Sequence, residues 1–266
     1  MPPLLDWTLL LTTPAFEVTA LLLGLVVGSF ANVCIHRLPR GESVVSPPSR
    51  CPRCSARIPP WDNVPVVGFL LLGGRCRSCR APISPRYPAV EAANGLLWLA
   101  LAALRGPSLF TLLSMALVTA LLVLALVDLD HQILPDVVTL PGTAFGLAAS
   151  VLPGAKVAPL EAAAAAVAGY AGFALVWWLW KTLRGLDALG QGDWKMAAML
   201  GAWLGWQKLL LTVFLASVVG AVIGLAVLRL RGKDRLPLGT FLGVAGILVV
   251  FFGEALVDWY AGLFRG

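Results

Sequence analysis

Eight apolar runs, at 15–35, 89–104, 108–127, 137–152, 160–180, 194–206, 209–228 and 238–257, divide the chain, with Pro, Gly and Arg clusters between them. About 20 consecutive apolar residues span a ~30 Å hydrocarbon core as a helix, which satisfies its backbone polar groups internally. Strands of a membrane barrel would instead alternate polar and apolar residues. Of 266 residues, 59% are hydrophobic and only 13% charged. A soluble domain carries about 25% charged residues, so a water-facing globular enzyme and a disordered tail are both excluded. The expected fold is an all-α polytopic membrane protein with about eight transmembrane helices.

Charge sets the orientation. Residues 37–88 hold nine Arg against Glu42 and Asp62, a local balance of +7 in a chain whose net charge is +6. A basic loop beside a spanning helix marks the cytoplasmic face, a reading preferred here to nucleic-acid binding. The N-terminal flank has Asp6 and Glu17 and no Lys or Arg, unlike a cleaved signal peptide, so the N-terminus is expected outside. Run 194–206 is short, roughly 20 Å as a helix. Counting it as a crossing keeps Lys181, Arg184, Arg229, Arg231, Lys233 and Arg235 inside, and leaves Arg105, Lys156 and Lys208 outside. Three regions are expected: a first transmembrane helix at 1–36, a cytoplasmic loop domain at 37–88, and a helical membrane domain at 89–266.

Small residues at helical spacing, among them Ala162, Ala166, Gly169 and Ala168, Gly172, read as close helix packing. Trp177, Trp178, Trp180, Trp194, Trp203 and Trp206 sit mostly near span ends, where Trp anchors to the interface. Cys34 within the first run reads as packing, and His36 lies at the membrane edge.

The basic loop contains Cys51-Pro-Arg-Cys54 and Cys76-Arg-Ser-Cys79, separated by 21 residues. Two such pairs can present four thiolates to one tetrahedral Zn²⁺. A reducing cytosol disfavours the competing disulfides. Four thiolates close the coordination sphere, so the zinc is expected to be structural, stapling a loop with too few apolar residues to fold alone.

Five of the fourteen acidic residues gather at two span ends: Asp128, Asp130 and Asp136, then Asp187 and Asp193. Ionisable groups at a membrane boundary are costly and commonly functional. Two carboxylates from different helices that share one proton could hydrolyse a peptide, one activating water while the other holds the proton. Gly190 and Gly192 would let substrate backbone or a neighbouring helix approach Asp193, and Lys195 could lower an Asp pKa or hold a substrate carboxylate. The alternatives are helix caps at Asp136 and Asp193 and solvated loop charges at Asp130 and Asp187.

At these residues the sequence resembles the bacterial prepilin peptidases, or type IV leader peptidases, of the GxGD aspartic membrane proteases. The resemblance covers nearly the whole chain. It rests on Gly28-Ser-Phe-Ala-Asn-Val-Cys-Ile-His-Arg-Leu-Pro39, the paired CxxC loop, Pro82-Ile-Ser-Pro-Arg-Tyr-Pro88 followed by Glu91, Asp128 to Asp136, Gly190-Gln-Gly-Asp193-Trp-Lys195 and Leu200-Gly-Ala-Trp-Leu-Gly205. It implies Asp128 and Asp193 as the catalytic pair. It further implies cleavage of type IV prepilin or type II secretion pseudopilin leaders after a Gly at the cytoplasmic face of a bacterial inner membrane. N-methylation of the new terminus with S-adenosylmethionine is implied as well, the Cys-containing loop being associated with that bifunctional form. Spacing alone reveals no S-adenosylmethionine site. Glu91 and Asn94 are candidates, with polar helix glue as their alternative.

A proton- or ion-coupled transporter using the same acids is the rival from another class. Transporters place coupling carboxylates near the midplane of repeated halves, whereas these acids lie at span ends. A zinc-stapled scaffold without chemistry is a third reading, and it leaves Asp128, Gly192 and Asp193 unexplained.

Overall fold

A computed structural model describes residues 14–185, 189–231 and 236–263, without side chains for 226–231. Asp6, Asp187, Lys233 and Arg235 of the sequence reading lie outside these residues, as do the side chains of Arg229 and Arg231. The described residues are helical, with α1 at Pro14–Arg37, α2 at Val67–Leu71, α3 at Arg86–Arg105, α4 at Leu109–His131, α5 at Asp136–Ser150, α6 at Pro159–Arg184, α7 at Gln191–Arg231 and α8 at Leu238–Gly262. Six of them, α1, α3, α4, α6, α7 and α8, are long and apolar enough to cross a membrane. With the four-cysteine cluster that follows α1, this makes an all-α, multi-pass membrane protein.

Proline and glycine punctuate the helices as their backbone chemistry requires. Pro159 opens α6, where a missing N–H costs nothing. Gly185 closes it in the left-handed region at φ 66°, its N–H returning to Lys181 O, while Lys181 and Arg184 face the negative end of the helix dipole.

The chain forms two compact units, 1–119 and 120–266. In the first, α1 packs on α3 through glycines: a Cβ on Gly28 would stand 2.8 Å from Glu91 Cα, and one on Gly24 would stand 2.9 Å from Gly95 Cα. Asn94 is fully buried and bridges the same helices, donating to Gly24 O at 2.7 Å and accepting from Thr119 Oγ1 at 2.8 Å.

In the second unit, α6 lies on α7. Ala162, Ala166 and Gly169 are buried as expected, and a Cβ on Gly169 would reach Ala197 O at 2.7 Å. Ala168 is exposed and Gly172 faces open space, so only one of the two expected small-residue faces is used. Two tryptophans depart from the interfacial reading. Trp194 is buried against Tyr170 and Trp177, and Trp203 donates to Gly142 O of α5 at 2.7 Å. Packing against a neighbouring helix outweighs the interface for both.

The 41-residue α7 is two limbs. Gly205 has φ 74° and ψ 175°, a conformation essentially restricted to glycine, so the sequence runs 194–206 and 209–228 fall on either side of a break. Just beyond it Lys208 meets Glu254 of α8 at 3.3 Å, and Lys156 meets the same carboxylate at 2.8 Å.

Candidate active site

Asp128 lies in the last turn of α4 and Asp193 in the first turn of α7; both are buried, at 5% and 9% exposure. Leu134 lies against Gly192, the neighbour of Asp193, and against Gly239, which in turn lies against the Asp128 carboxyl, so the second unit gathers the two expected carboxylates around one side chain from separate helices. Each is oriented through one oxygen. Asp128 Oδ2 accepts from the backbone N–H of Thr240 at 2.7 Å and from its hydroxyl at 3.2 Å. Asp193 Oδ2 accepts from Gly190 N–H at 3.2 Å, while Asp193 N–H returns to Gly190 O at 3.1 Å. That is half of a capping box, in which a third-position side chain satisfies the residue before the helix. The cap expected as an alternative role for Asp193 is thus present, and it engages only one carboxylate oxygen.

Glycine lets these elements converge. A Cβ on Gly192 would stand 2.8 Å from Leu134 Cβ, and one on Gly239 would stand 2.9 Å from Leu134 Cδ1 and 3.0 Å from Asp128 Cγ. Leu134, buried between α4 and α5 in sequence, thus fills the space bounded by the starts of α7 and α8. Gly190 is the N-terminal partner of Asp193 rather than a packing surface. Lys195 donates to both carboxylate oxygens of Asp136 at 2.7 Å. Asp136 therefore joins α5 to α7 through an ion pair, and the cap above α5 has no side-chain hydrogen bond. Asp130 is exposed.

Thr240 and Gly239 were not singled out in the sequence. The available signal was the Pro237-Leu-Gly-Thr240 start of the last apolar run. A helix beginning there leaves unpaired N–H groups that attract an acceptor, and Asp128 supplies it.

In the first unit the four cysteines come together. Their Sγ atoms all lie within 4.8 Å of one another, and Cys51 Sγ lies 3.8 Å from Cys79 Sγ. Zn–S bonds of ~2.3 Å in a tetrahedron give sulfur separations of about 3.8 Å, so the donor set fits a metal ion. The two pairs are built alike. Cys51 N–H meets Ala56 O and Cys76 N–H meets Ala81 O, both at 2.9 Å, while Ser55 and Arg80 donate back to Cys51 O and Cys76 O. Ser55 and Arg80 take φ 57° and 58°, and bridges Arg50↔Arg57 and Arg75↔Pro82 close each turn. Backbone N–H groups of Cys54 and Arg53 bring the Cys51 thiol down to about 6, while desolvation and the neighbouring thiols push Cys54 up to about 11, as crowded thiols do that cannot all ionise without a cation between them.

Glu91 is buried, and its Oε2 accepts from Val66 N–H at 2.7 Å. Asn94 is spent on helix-to-helix bonding. Cys34 is half-buried in α1, and the His36 ring nitrogen lies 3.0 Å from Arg40 Nη1.

Two family models match the chain: the Bacterial Peptidase A24 N-terminal domain over residues 22–104 and the Type IV leader peptidase family over residues 115–225. The prepilin leader peptidase/N-methyltransferase of Pseudomonas aeruginosa is 40% identical, covering 97% of this chain and 97% of that protein. The chain belongs to the type IV leader peptidase family. Proteins of the same description from Pseudomonas putida and Aeromonas hydrophila are 39% and 38% identical, covering 94% and 90% of the chain and 96% and 91% of their own lengths. Within this leader peptidase family chain, the first match takes in both cysteine turns and Glu91. The second takes in Asp128 and Asp193 but stops short of Thr240. No solved structure matches the chain.

Proposed function

We propose that the protein is a membrane aspartic endopeptidase that removes the leader of type IV prepilins or type II secretion pseudopilins and methylates the new N-terminus. Its place is a bacterial inner membrane, which it crosses several times. The observation that carries the peptidase half is the pair of buried carboxylates on α4 and α7, each held at Oδ2 by a backbone N–H. The leader peptidase/N-methyltransferase description of relatives that match nearly end to end supports both halves.

In this reading Asp128 and Asp193 share a proton. One carboxylate takes a proton from water as the water oxygen bonds to the scissile carbonyl carbon. The other donates its proton to the leaving amine as the C–N bond breaks. Gly192 and Gly239 keep the floor of the site low, and Lys195 with Asp136 fixes α5 against α7.

Eight crossings follow if α5 and the two limbs of α7 each count as one, with the catalytic pair and residues 37–88 facing the cytoplasm. The regions are then 1–36 as the first span, 37–88 as the loop domain and 89–266 as the helical peptidase domain. Zinc would be held by Cys51, Cys54, Cys76 and Cys79, where a closed four-thiolate shell supplies structure rather than reactivity. S-adenosylmethionine is the methyl donor by family resemblance. The engaged amide of Asn94 and the loop contact of Glu91 do not fit an open site for it, so no step is assigned to either residue.

The test uses purified protein in bilayer nanodiscs with a prepilin substrate. Asp128→Asn and Asp193→Asn are each expected to lower kcat by about 10²–10⁴-fold, and the double variant to be little worse than either. Normal processing by both single variants would overturn the dyad.

A further inference from the structure

The arginine-rich loop between α1 and α3 contains one apolar stretch, Val64-Pro-Val-Val-Gly-Phe-Leu-Leu-Leu72, whose side chains are not all folded inward. Val67, Leu70 and Leu71 stand at i, i+3 and i+4 of α2 and so share one face. All three are exposed, Leu70 to 68% and Leu71 to 80%, as are the neighbouring Trp61 and Val64. The opposite face is committed: Gly68 lies against the Asp62 carbonyl, and Phe69 packs on Gly74. Asp62 is held in turn by a two-pronged ion pair with Arg77, at 2.7 and 2.5 Å. The apolar face is therefore presented by a braced scaffold.

Its depth follows from one hydrogen bond. Val66 N–H donates to Glu91 Oε2, and Glu91 lies five residues inside the start of α3 at Arg86. At ~1.5 Å per residue that is roughly 7.5 Å along a helix of about 30 Å, the thickness of the hydrocarbon core. The residue before α2 is thus fastened level with the second turn of a spanning helix. Val66 has φ 61° and ψ −49°, a strained conformation for a β-branched residue, and the Glu91 contact holds it. The same loop, with the start of α3, carries exposed Arg53, Arg57, Arg75, Arg80 and Arg86.

We propose that residues 61–71 form a wedge lying in the membrane interface, with Leu70 and Leu71 among the upper acyl carbons, Trp61 at headgroup level and the surrounding arginines on anionic phospholipid headgroups. An apolar face at headgroup depth in a loop rich in exposed cations is the composition of interfacial anchors. The wedge pins the cysteine-bearing loop to the bilayer where α3 enters it. This goes beyond the peptidase reading and stands independently of it.

The test places a photo-cross-linking benzophenone residue at Leu71, and separately at Trp61, in the full-length protein. Nanodiscs are made of phosphatidylcholine alone or of a phosphatidylcholine–phosphatidylglycerol mixture. Mass spectrometry is expected to find lipid adducts at both positions, with phosphatidylglycerol about fivefold enriched over its share of the bilayer. Leu71→Asp is expected to lower lipid cross-linking from position 61 severalfold. Adducts only with polypeptide, whether a second copy or an added prepilin, would overturn the proposal, as would full access of position 71 to a water-soluble quencher.

Discussion

Thr240 holds Asp128 across 112 residues of chain, its backbone N–H donating to Oδ2 at 2.7 Å while its single hydroxyl proton is shared between Oδ2 at 3.2 Å and Ala125 O at 2.9 Å. The first turn of α8 therefore acts as a positioning element for a carboxylate on α4. Thr240→Val keeps the backbone donor and removes the hydroxyl. A hydrogen bond to a charged group contributes about 1.5–3 kcal/mol, so kcat should fall roughly tenfold or more with KM little changed, and Thr240→Ser should restore it. Steady-state cleavage of a prepilin substrate checks this; equal kcat for Val and Ser variants would show that the hydroxyl only packs.

Leu134 separates two clashes that a single methyl would create. Gly239→Ala and Gly192→Ala should each lower activity about 10- to 100-fold by displacing a carboxylate. Adding Leu134→Ala should recover part of the Gly239→Ala loss, because that clash involves Leu134 Cδ1. It should recover little at Gly192, where the contact is with Leu134 Cβ, which alanine keeps. Equal rescue of both would refute this account of the packing.

Gly205→Ala places a Cβ on a glycine-only backbone conformation, where it would meet Glu161 Oε1 at 2.5 Å. A cost of about 1–3 kcal/mol is expected, seen as a lower melting temperature in detergent together with reduced kcat. Loss of stability with unchanged kcat would separate the break in α7 from catalysis.

Cys51→Ser and Cys76→Ser should each lower bound zinc from about one per chain and speed hydrogen exchange over residues 50–57 and 75–82, with prepilin cleavage retained. Metal analysis of freshly prepared reduced protein decides it, since a wild-type protein without zinc ends the assignment.

Most of this architecture was legible because helices in a bilayer announce themselves by continuous apolar runs. The cysteine cluster was legible because each CxxC turn is local. Its internal repeat is equally readable, Arg50-Cys-x-x-Cys-x-Ala56 returning as Arg75-Cys-x-x-Cys-x-Ala81. Asp128 and Asp193 stood out as scarce charges at span ends. Thr240 and Leu134 did not, since a Thr opening an apolar helix and a Leu in a turn look the same whether or not a carboxylate lies against them. Lys195 was given a substrate or electrostatic role from its proximity in sequence to Asp193, but a flexible side chain goes to the partner geometry offers, here Asp136. Trp194 and Trp203 were assigned to the interface from composition, which carries no information about which neighbour supplies a ring or a carbonyl.

The glycine break in α7 also has a mechanical side. Asp193 stands twelve residues before Gly205, so the angle at the glycine sets where the carboxylate sits over an arm of roughly 18 Å. Beyond the break Lys208 is tied to Glu254, while the inner limb is tied to α5 and α6 through Lys195, Trp203 and the Gly169 contact. A swing of about 5° at Gly205 carries the carboxylate about 1.5 Å, enough to separate productive from idle geometry. Substitutions at the far end of that limb can therefore retune peptide cleavage without touching either aspartate.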